Sequence, residues 1–466
     1  MWPAAESLFN RLAAFGEAIA LREGEQQLSY AQLLSEVAQR SVYLQHLGAR
    51  RVALALDNGI DWVLWDLATL HAGLVCVPLP GFFSSGQQVH VLDSAGIDCL
   101  IGPASPLFSA LGFSASAAAS ATTATTTVLQ RPRAQVSALP VGTCKITYTS
   151  GTTGQPKGAV HTQGNLLANM AMAAEVQGLT PQDVVATVLP LFHVGGLCIQ
   201  TLPALAAGAR VLLFARFDAE ATLHCFEADR PTLTLQVPAT LQALTGHPRW
   251  ASTDLSSLRA VWAGSSLLPP APLAAFHVRG VPVCNVYGST ETGPFSIALS
   301  EAQAFDHVGS CGWPAPGVEV RLRRSDGETV AQGEVGEILV RGPNVVSRYW
   351  PDLPACDAEG FFHSGDLAMQ LPDGSHTVVG RAKDMVISGG ENIYPAEIEN
   401  LLVQHPMVAE CAVVGQDDAR WGEVVVAVVV LREPAQKEWM ASLQAFLDGR
   451  LARYKWPRRW HRVEAL

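Results

Sequence analysis

A strand–helix–strand alternation near residue 50 constrains the fold most. The apolar run Arg51–Leu56 is typical of a buried strand, Asp61–His71 of a helix with one apolar face, and Leu74–Pro78 of a second strand. Strands joined through a helix at this spacing lie parallel, because a parallel pair needs a long crossover connection. Cys99–Ile101 continues the alternation. The sequence therefore predicts an α/β fold built on a parallel sheet.

The pattern changes twice further along the chain. From Gly317 to Gly342 apolar residues alternate with a period of two around Asp326-Gly327, which predicts a small antiparallel barrel or sheet. After Gly380 a helix, two strands and an amphipathic helix are predicted at Pro395–Leu402, Cys411–Val414, Val424–Leu431 and Lys437–Leu451. We predict a large N-terminal domain of α/β subdomains plus a small β-barrel over residues 1–380, and a small mobile α+β domain over 381–466.

Composition excludes several classes of protein. The 466 residues exceed what one core usually serves, and 48% of them are hydrophobic, as in ordinary globular proteins. A net charge of −11 without a basic run argues against nucleic acid or an anionic membrane surface as partner. The nine cysteines form no CxxC pair, which predicts reduced core thiols in a cytoplasmic protein. Met1–Phe15 does not have the pattern of a signal peptide, and the apolar stretches are too short to span a bilayer.

One segment has low complexity. Ser114–Thr127 consists entirely of Ala, Ser and Thr, with nothing to bury on one face. We interpret it as a loop or a disordered insert.

The segment Tyr148–Gly158 combines four Ser and Thr residues, three glycines and one lysine. Glycines let backbone N–H groups approach an anion, hydroxyls donate to phosphate oxygens, and a lysine is a mobile point charge, so the chemistry indicated is polyphosphate binding. The Walker pattern is excluded, because Pro156 stands where its second glycine belongs. The segment follows apolar Ile146–Tyr148 and precedes the helix-like Asn165–Glu175, which predicts a strand, a loop and a helix in that order. The alternative is a polar surface turn.

Three later segments also carry chemistry. Val286–Gly293 holds an aromatic ring, a tight glycine, hydroxyls and a carboxylate, which suits stacking on a base and holding a metal beside phosphate; its alternative is a capped strand end. Phe361–Leu367 contains one carboxylate that by itself is an ordinary turn aspartate. Leu189–Leu197 carries a histidine among apolar residues, where a core or turn role is the simpler interpretation.

Taken together, these segments resemble the adenylate-forming ligases, which include acyl-CoA synthetases, luciferases and peptide-synthetase adenylation domains. The ordered string Thr-Ser-Gly-Thr-Thr-Gly-x-Pro-Lys-Gly is similar to their phosphate-binding loop, and Val286–Gly293 to their second signature. Gly380–Pro395 resembles the hinge and swinging loop of acyl-CoA synthetases, and Trp421–Glu423 and Ala452–Lys455 also resemble that branch. The resembling motifs cover residues 25 to 457.

The resemblance implies roles for individual residues. Asn285 and Tyr287 would meet adenine, Thr290 the α-phosphate and Glu291 the Mg²⁺, while Asp366 would take both ribose hydroxyls. The implied ATP site comprises Thr149, Ser150, Gly151, Thr152, Thr153, Gly154, Lys157, Ser265, Asn285, Val286, Tyr287, Gly288, Thr290, Asp366 and Arg381. The implied catalytic set is Thr152, Lys157, His193, Glu291 and Lys383, with Lys383 as the hinge.

The same resemblance implies a site for the acid and a loop for the second step. His193 would be the aromatic gate over the carboxylate. Serines replace the family's Gly and Ala in Trp262–Ser266, which changes the pocket floor. The implied acid pocket comprises His193, Gly195, Gly196, Gln236, Trp262, Gly264 and Ser289, and the implied thiol-step loop comprises Gly389, Gly390, Glu391 and Asn392.

The resemblance implies an ATP-dependent carboxylic acid:CoA ligase that uses Mg²⁺ and coenzyme A. The acid is expected to be hydrophobic, aryl or medium-chain, because no cationic partner for a second carboxylate is visible near His193 or Trp262. The protein is expected to be a monomer or a homodimer with no nucleic-acid or membrane partner. Two alternatives stay open: an acceptor that is a carrier-protein thiol or an amine, and a nucleotide- or acyl-adenylate-binding protein with little turnover.

One departure from the family concerns a lysine. A Gly-Lys dipeptide follows the Tyr-Lys-x-Pro segment in the family, and its lysine binds the reacting carboxylate and α-phosphate. Lys455 is the last lysine of the 466 residues. The expectation is that this sequence is a shortened form of a longer chain or that the first step proceeds differently.

Overall fold

The computed structural model of the chain describes residues 5–116, 126–132, 137–149, 156–265, 267–433 and 438–466. Its strands, in chain order, are β1 (Ile19–Glu23), β2 (Gln26–Ser29), β3 (Arg51–Leu54), β4 (Val75–Pro78), β5 (Cys99–Gly102), β6 (Ser114–Ala115), β7 (Thr127–Gln130), β8 (Thr143–Thr149), β9 (Lys157–Thr162), β10 (Val184–Thr187), β11 (Arg210–Leu213), β12 (Leu233–Gln236), β13 (Ala260–Gly264), β14 (Val283–Tyr287), β15 (Ile297–Ala298), β16 (Trp313–Pro314), β17 (Glu319–Arg323), β18 (Val335–Arg341), β19 (Arg348–Trp350), β20 (Leu353–Pro354), β21 (Phe362–Gln370), β22 (His376–Arg381), β23 (Val386–Ser388), β24 (Glu391–Ile393), β25 (Val408–Asp418), β26 (Gly422–Leu431) and β27 (Arg459–Val463).

The α-helices are α1 (Ala5–Ala13), α2 (Tyr30–His46), α3 (Ile60–His71), α4 (Ser85–Ser94), α5 (Pro106–Ala110), α6 (Gln163–Val176), α7 (Leu202–Ala207), α8 (Ala219–Ala228), α9 (Pro238–Thr245), α10 (Pro270–Val278), α11 (Pro395–Leu402) and α12 (Trp439–Leu447). A π-helical segment covers Gly195–Thr201, and 3₁₀ turns cover Glu301–Gln303, Ala382–Asp384 and Arg453–Lys455. Among the described residues, no helix has the length and apolar character needed to cross a bilayer.

Two nine-stranded sheets form most of the large N-terminal part. Sheet I has the order β16-β15-β14-β13-β12-β10-β11-β1-β2, and sheet II the order β20-β19-β9-β8-β4-β3-β5-β7-β6. The central neighbours are parallel in both sheets, as in β12–β13–β14 and β3–β4. The predicted βαβ unit is present as β3, α3 and β4, and the predicted α/β class with a parallel sheet is confirmed.

One apolar core joins the two sheets. It includes Leu54 of β3, Trp65 of α3, Met170 of α6, Leu205 of α7 and Trp262 of β13, all nearly inaccessible to solvent. Strands of both sheets and the helices α2, α3, α6 and α7 therefore bury their apolar faces against a common set of side chains. The outer face of sheet II packs on α4 and α5, and that of sheet I on α8, α9 and α10.

A buried ion pair lies beside this core. The Lys145 ammonium of β8 is 2.6 Å from the Asp66 carboxylate of α3, and their side chains are only 6% and 3% exposed. The ring of Trp62 lies 5.4 Å from the ammonium. Since a buried charge is costly unless it is paired, this contact ties α3 to the strand that leads into the predicted phosphate loop.

The predicted order of strand, loop and helix at Tyr148–Gly158 is wrong. A strand, β9, separates the loop from α6 and pairs antiparallel with β8, placing Thr149 opposite Lys157. The helix begins only after Thr162, whose side chain caps it by accepting from the N–H of Asn165. The loop therefore does not lead into the N-terminus of α6. It connects β8 and β9, the two strands of a hairpin.

The low-complexity segment is partly ordered at its ends. β6 and β7 pair antiparallel through Ser114 and Ala115, so a loop was the wrong prediction for these end residues. Residues 117–125 lie outside the described part of the chain.

The remaining elements form two smaller units. The predicted antiparallel barrel or sheet is a four-stranded antiparallel sheet in the order β17-β18-β21-β22. A five-stranded sheet follows, β24-β23-β26-β25 with β27 beside β26, and it packs on α11 and α12. The predicted helix Pro395–Leu402 is α11 with the same bounds, whereas α12 is shorter than predicted. β22 ends at Arg381 and β23 begins at Val386, and the domain boundary near residue 380 stays a prediction.

We predict that Asp66→Asn lowers the free energy of unfolding by about 3–5 kcal/mol, because it leaves the Lys145 charge buried without a partner. The Asp66→Leu/Lys145→Met double variant, which removes both charges, should lose less. The measurement is the urea midpoint followed by circular dichroism.

Asp352→Asn is the control for this prediction. Its partner is Arg348, and the two side chains are 72% and 38% exposed, so the loss should stay below about 1 kcal/mol. Equal shifts for the buried and the exposed pair would contradict the assigned role of Asp66.

Candidate active site

Four of the predicted site residues lie along one edge of sheet I. Gln236, Gly264 and Tyr287 are the last residues of β12, β13 and β14, and these strands run parallel. His193 follows the carboxyl end of β10 in the same sheet. In an open parallel sheet the crevice outside the carboxyl ends of the strands is where ligands bind. The structure thus brings the predicted gate His193 to the same edge as Gln236, Gly264 and Tyr287.

The carboxylate of Asp366 is held by two neighbours. The Tyr287 hydroxyl donates to its Oδ2 at 2.9 Å, and Arg381 Nε lies 2.8 Å from its Oδ1. Asp366 and Arg381 are partners in the β21–β22 ladder, so strand register sets this pair. Burial raises the pKa of Tyr287 well above its usual value, and the nearby Asp366 charge raises it further. The hydroxyl therefore stays protonated and acts as a donor. Each carboxylate oxygen keeps a second lone pair, which suits acceptance from vicinal hydroxyls such as those of ribose.

Glu291 is positioned by a second tyrosine. The Tyr349 hydroxyl donates to Glu291 Oε1 at 2.8 Å, and the Val346 N–H donates to the Glu291 carbonyl at 2.8 Å. Burial, followed by the Glu291 charge, raises the pKa of Tyr349. No cluster of three or more metal-binding side chains occurs in the part of the chain that the structure describes. A single oriented carboxylate fits Mg²⁺ that arrives with phosphates, because this ion is usually held by one or two carboxylates together with substrate oxygens and water.

The predicted phosphate loop is described only at its ends. Thr149 closes β8 and Lys157 opens β9, and the two are register partners. His90 contacts the Pro156 carbonyl at 3.2 Å. Five residues of the predicted ATP site lie outside the described residues, namely Ser150, Gly151, Thr152, Thr153 and Gly154.

His193 stands at the start of an unusual helix. The π-helical segment Gly195–Thr201 begins two residues later, and such segments often occur at functional sites. The His193 ring lies 4.7 Å from that of Phe192, and the residue is exposed. Desolvation by the surrounding protein lowers the pKa of the imidazole, so the ring is neutral at neutral pH.

The two glycines after His193 are not equivalent. A Cβ at Gly196 would overlap the Pro190 carbonyl oxygen, whereas a Cβ at Gly195 would meet nothing within 4 Å. Gly196 is therefore required by the close approach of the protein's own backbone. Gly195 leaves open space beside the gate, and Ile199, four residues on, lies one turn further along the same helix.

The predicted acid pocket is divided between the two faces of sheet I. Trp262 belongs to the core shared by the two sheets, and its ring centroid lies 5.7 Å from that of Phe295. Gln236 is the register partner of Ala263, which packs on the opposite face. Side chains alternate along a strand, so Gln236 and Trp262 point to opposite sides. Ser289, just beyond β14, has a buried hydroxyl without a described partner.

A positioning residue that the sequence analysis missed is Asn58. Its amide donates to the Leu189 carbonyl at 2.9 Å and accepts from the Leu191 N–H at 2.8 Å. Asn58 follows β3 of sheet II, so this pair of hydrogen bonds holds the turn before His193 against the other sheet. The sequence analysis did not single out Asn58, although its place after a parallel strand was a usable signal.

The predicted thiol-step loop is a tight hairpin. Gly389 and Gly390 join β23 to β24 with φ of +62° and +89°, the left-handed values of a two-residue turn. Glu391 and Asn392 are exposed on β24. The exposed Lys383 lies in the 3₁₀ turn between the last strand of the four-stranded sheet and β23.

Comparison with known proteins identifies the family. The sequence matches the AMP-binding enzyme family over residues 8–350 and the C-terminal domain of AMP-binding enzymes over residues 397–466. The chain belongs to the AMP-binding enzyme family. The C-terminal match begins within α11, and residues 351–396 fall between the two matches.

Several relatives of this AMP-binding enzyme have names that state an activity. Indoleacetate–CoA ligase of Aromatoleum aromaticum is 51% identical over 316 residues, which cover 67% of this chain and 62% of that protein. Feruloyl-CoA synthase of an Amycolatopsis species is 39% identical over 458 residues, covering 95% and 91%. The o-succinylbenzoate CoA synthetase of Bacillus subtilis, solved with ATP and magnesium, is 30% identical with a TM-score of 0.86, covering 98% and 96%.

These comparisons confirm several predictions. The adenylate-forming family, its large N-terminal and small C-terminal domains, and the class of ATP-dependent acid–CoA ligation are confirmed. ATP, Mg²⁺ and coenzyme A are the ligands of this class, and the Bacillus subtilis relative holds the first two. The individual site residues, the domain bounds, the cytoplasmic location and the oligomeric state stay predictions.

The glycine geometry yields a prediction for the acid pocket. Gly195→Leu should fill the open space and raise the KM for a bulky acid about tenfold or more while the KM for ATP stays nearly unchanged. Steady-state kinetics with both substrates varied measures this effect.

Gly196→Ala is the matched variant. It should lower stability rather than acid affinity, because its Cβ would meet the Pro190 backbone. A fall in ATP affinity in Gly195→Leu, with acid affinity unchanged, would show that the pocket lies elsewhere.

Proposed function

We propose that this protein is an AMP-forming ligase that joins an aromatic carboxylic acid to coenzyme A. The observation that carries the proposal is the array around Asp366, which Tyr287 and Arg381 hold at the edge where Glu291 is also oriented. This set of groups suits the three parts of a magnesium-bound nucleotide, namely its ribose hydroxyls, its adenine and its phosphates.

In the first step the acid's carboxylate attacks the α-phosphorus of ATP, and pyrophosphate leaves. The protein contributes orientation and charge stabilisation. Asp366 would fix the ribose and Tyr287 would cover the adenine, while Glu291 would hold Mg²⁺ beside the phosphates. Lys157, at the mouth of the hairpin, supplies a positive charge for the departing pyrophosphate.

The aromatic class of the acid is supported by the pocket and by the relatives. Gly195 opens space next to His193, and the apolar Ile199 and Trp262 belong to the adjoining core. The relatives named above act on indoleacetate, ferulate and o-succinylbenzoate, each of which contains an aromatic ring. Because Gly195 has no side chain, the space beside His193 stays open, and a planar aromatic ring suits such a space.

In the second step a thiol attacks the acyl carbon and AMP leaves. The glycine hairpin of Gly389 and Gly390 is the candidate for the loop that serves this step, and its carboxylate and amide, Glu391 and Asn392, are exposed. Lys455 is engaged elsewhere, since its ammonium lies 2.7 Å from the Glu397 carboxylate of α11.

The test is a panel of acids scored by pyrophosphate release with and without coenzyme A. The panel contains indoleacetate, ferulate, o-succinylbenzoate and a medium-chain fatty acid. Aryl acids should release pyrophosphate, and the acyl-CoA product should form only with the thiol present. Preference for the fatty acid would refute the aromatic class, and release without any acyl-CoA would point to another acceptor.

We predict that Glu291→Gln reduces acid-dependent pyrophosphate release by about two to three orders of magnitude. Loss of one positioned group that stabilises the charge developing in the transition state usually lowers the rate by this factor. Tyr349→Phe should have a smaller effect, because it removes only the hydrogen bond that orients the carboxylate. Near wild-type release from Glu291→Gln would remove this residue from the site.

A second prediction concerns the hinge. Lys383→Pro should separate the two half-reactions, because proline fixes φ and restricts rotation at this exposed turn. Pyrophosphate release and conversion of a supplied acyl-adenylate are measured separately, with Lys383→Ala as the control for loss of the side chain. Equal loss of both steps in a folded protein would count against two working conformations.

A further inference from the structure

An exposed aromatic ring lies against the predicted gate. Phe82 lies between β4 and α4, and 66% of its surface is exposed. Its ring centroid is 6.0 Å from that of His193, with 26° between the ring planes. Single exposed apolar residues are common and need no explanation. An exposed ring stacked on a residue of the active site does need one.

The two stacked rings come from different sheets. Phe82 follows the carboxyl end of β4 in sheet II, and His193 follows the carboxyl end of β10 in sheet I. β4 is parallel to β8, whose carboxyl end leads into the predicted phosphate loop, so Phe82 leaves its sheet at the nucleotide edge. The pair therefore spans the gap between the sheets at the mouth of the site.

Two further rings anchor this pair. Phe83 is buried and lies 5.2 Å from Phe82 edge-on, while Phe192 lies 5.6 Å from Phe82. A Cβ at Gly81, just before Phe82, would meet nothing within 4 Å. The outer ring thus has a fixed inner support, and the backbone just before it is not closely packed.

We propose that Phe82 is a positioning residue, the outer ring of a two-ring gate that holds His193 over the site and shields the activated acid from water. The proposal rests on the proposed function and on the position of His193 over the activated carboxylate, which the family resemblance implies. The reaction that the gate prevents is hydrolysis. Water adds to the acyl carbon, the bond from that carbon to the phosphate oxygen breaks, and carboxylate, AMP and a proton are released without acyl-CoA.

The test measures this leak in the full chain. ATP and an acid that the wild type activates are supplied without coenzyme A, and the rate of AMP release is recorded. Phe82→Ala should raise the rate about 2- to 10-fold, the factor that one aromatic pair is worth. Phe82→Tyr, which keeps the ring, should restore the wild-type rate, and the KM for ATP should not change in either variant.

Phe305→Ala is the matched control. Phe305 is also an exposed phenylalanine, 46% accessible, and it packs against another histidine, His277, at 4.8 Å. Its removal should leave AMP release unchanged.

Three results would overturn the gate while leaving the ligase function intact: an unchanged leak in Phe82→Ala, an equal rise in Phe305→Ala, or failure of Phe82→Tyr to restore the rate. Absence of pyrophosphate release from the wild type with every acid would overturn the ligase function, and the gate with it.

Discussion

The structure depends on one apolar core that two nine-stranded sheets share. Each sheet has helices on its outer face, and both bury their inner faces against α2, α3, α6 and α7. Burial of apolar surface is the dominant favourable contribution to folding, so the shared core also sets how the sheets approach each other. The carboxyl ends of strands from both sheets meet as a result. The predicted gate His193 and the proposed site residues Gly264 and Tyr287 lie at that meeting edge.

Apolar contacts are non-directional, so the core alone does not fix how neighbouring turns are oriented. Polar contacts fix that orientation. The amide of Asn58 reaches from sheet II to the backbone on both sides of Pro190. The Lys145–Asp66 pair does the same for α3 and β8 beneath the predicted phosphate loop. Buried polar groups are costly when unpaired, so each of these contacts disfavours other arrangements of the turns that it joins. The positions of His193 and of the hairpin follow from such contacts rather than from apolar packing alone.

Local signals explain which elements the sequence predicted well. α11 begins with proline at its first turn and carries a regular apolar stripe, and its predicted bounds agree with the structure. The strand β9 was missed because its identity depends on pairing with β8 across a loop. The difference between Gly195 and Gly196 is also invisible in sequence, because the direction of each Cβ depends on the phase of a π-helix. Asn58 and Phe82 were missed for a related reason, since both act across the gap between two sheets.

The ladder between β21 and β22 connects the proposed ribose residue to the predicted hinge. Asp366 and Arg381 are register partners, and Lys383 follows Arg381 by two residues. A shift of β22 by one residue would turn Arg381 to the other face of the sheet and break its pair with Asp366, because side chains alternate along a strand. The residue proposed to hold ribose is thus joined to the strand from which the C-terminal part departs. The position of Asp366, the proposed ribose residue, and the point at which the chain leaves β22 toward the predicted hinge therefore depend on the same register.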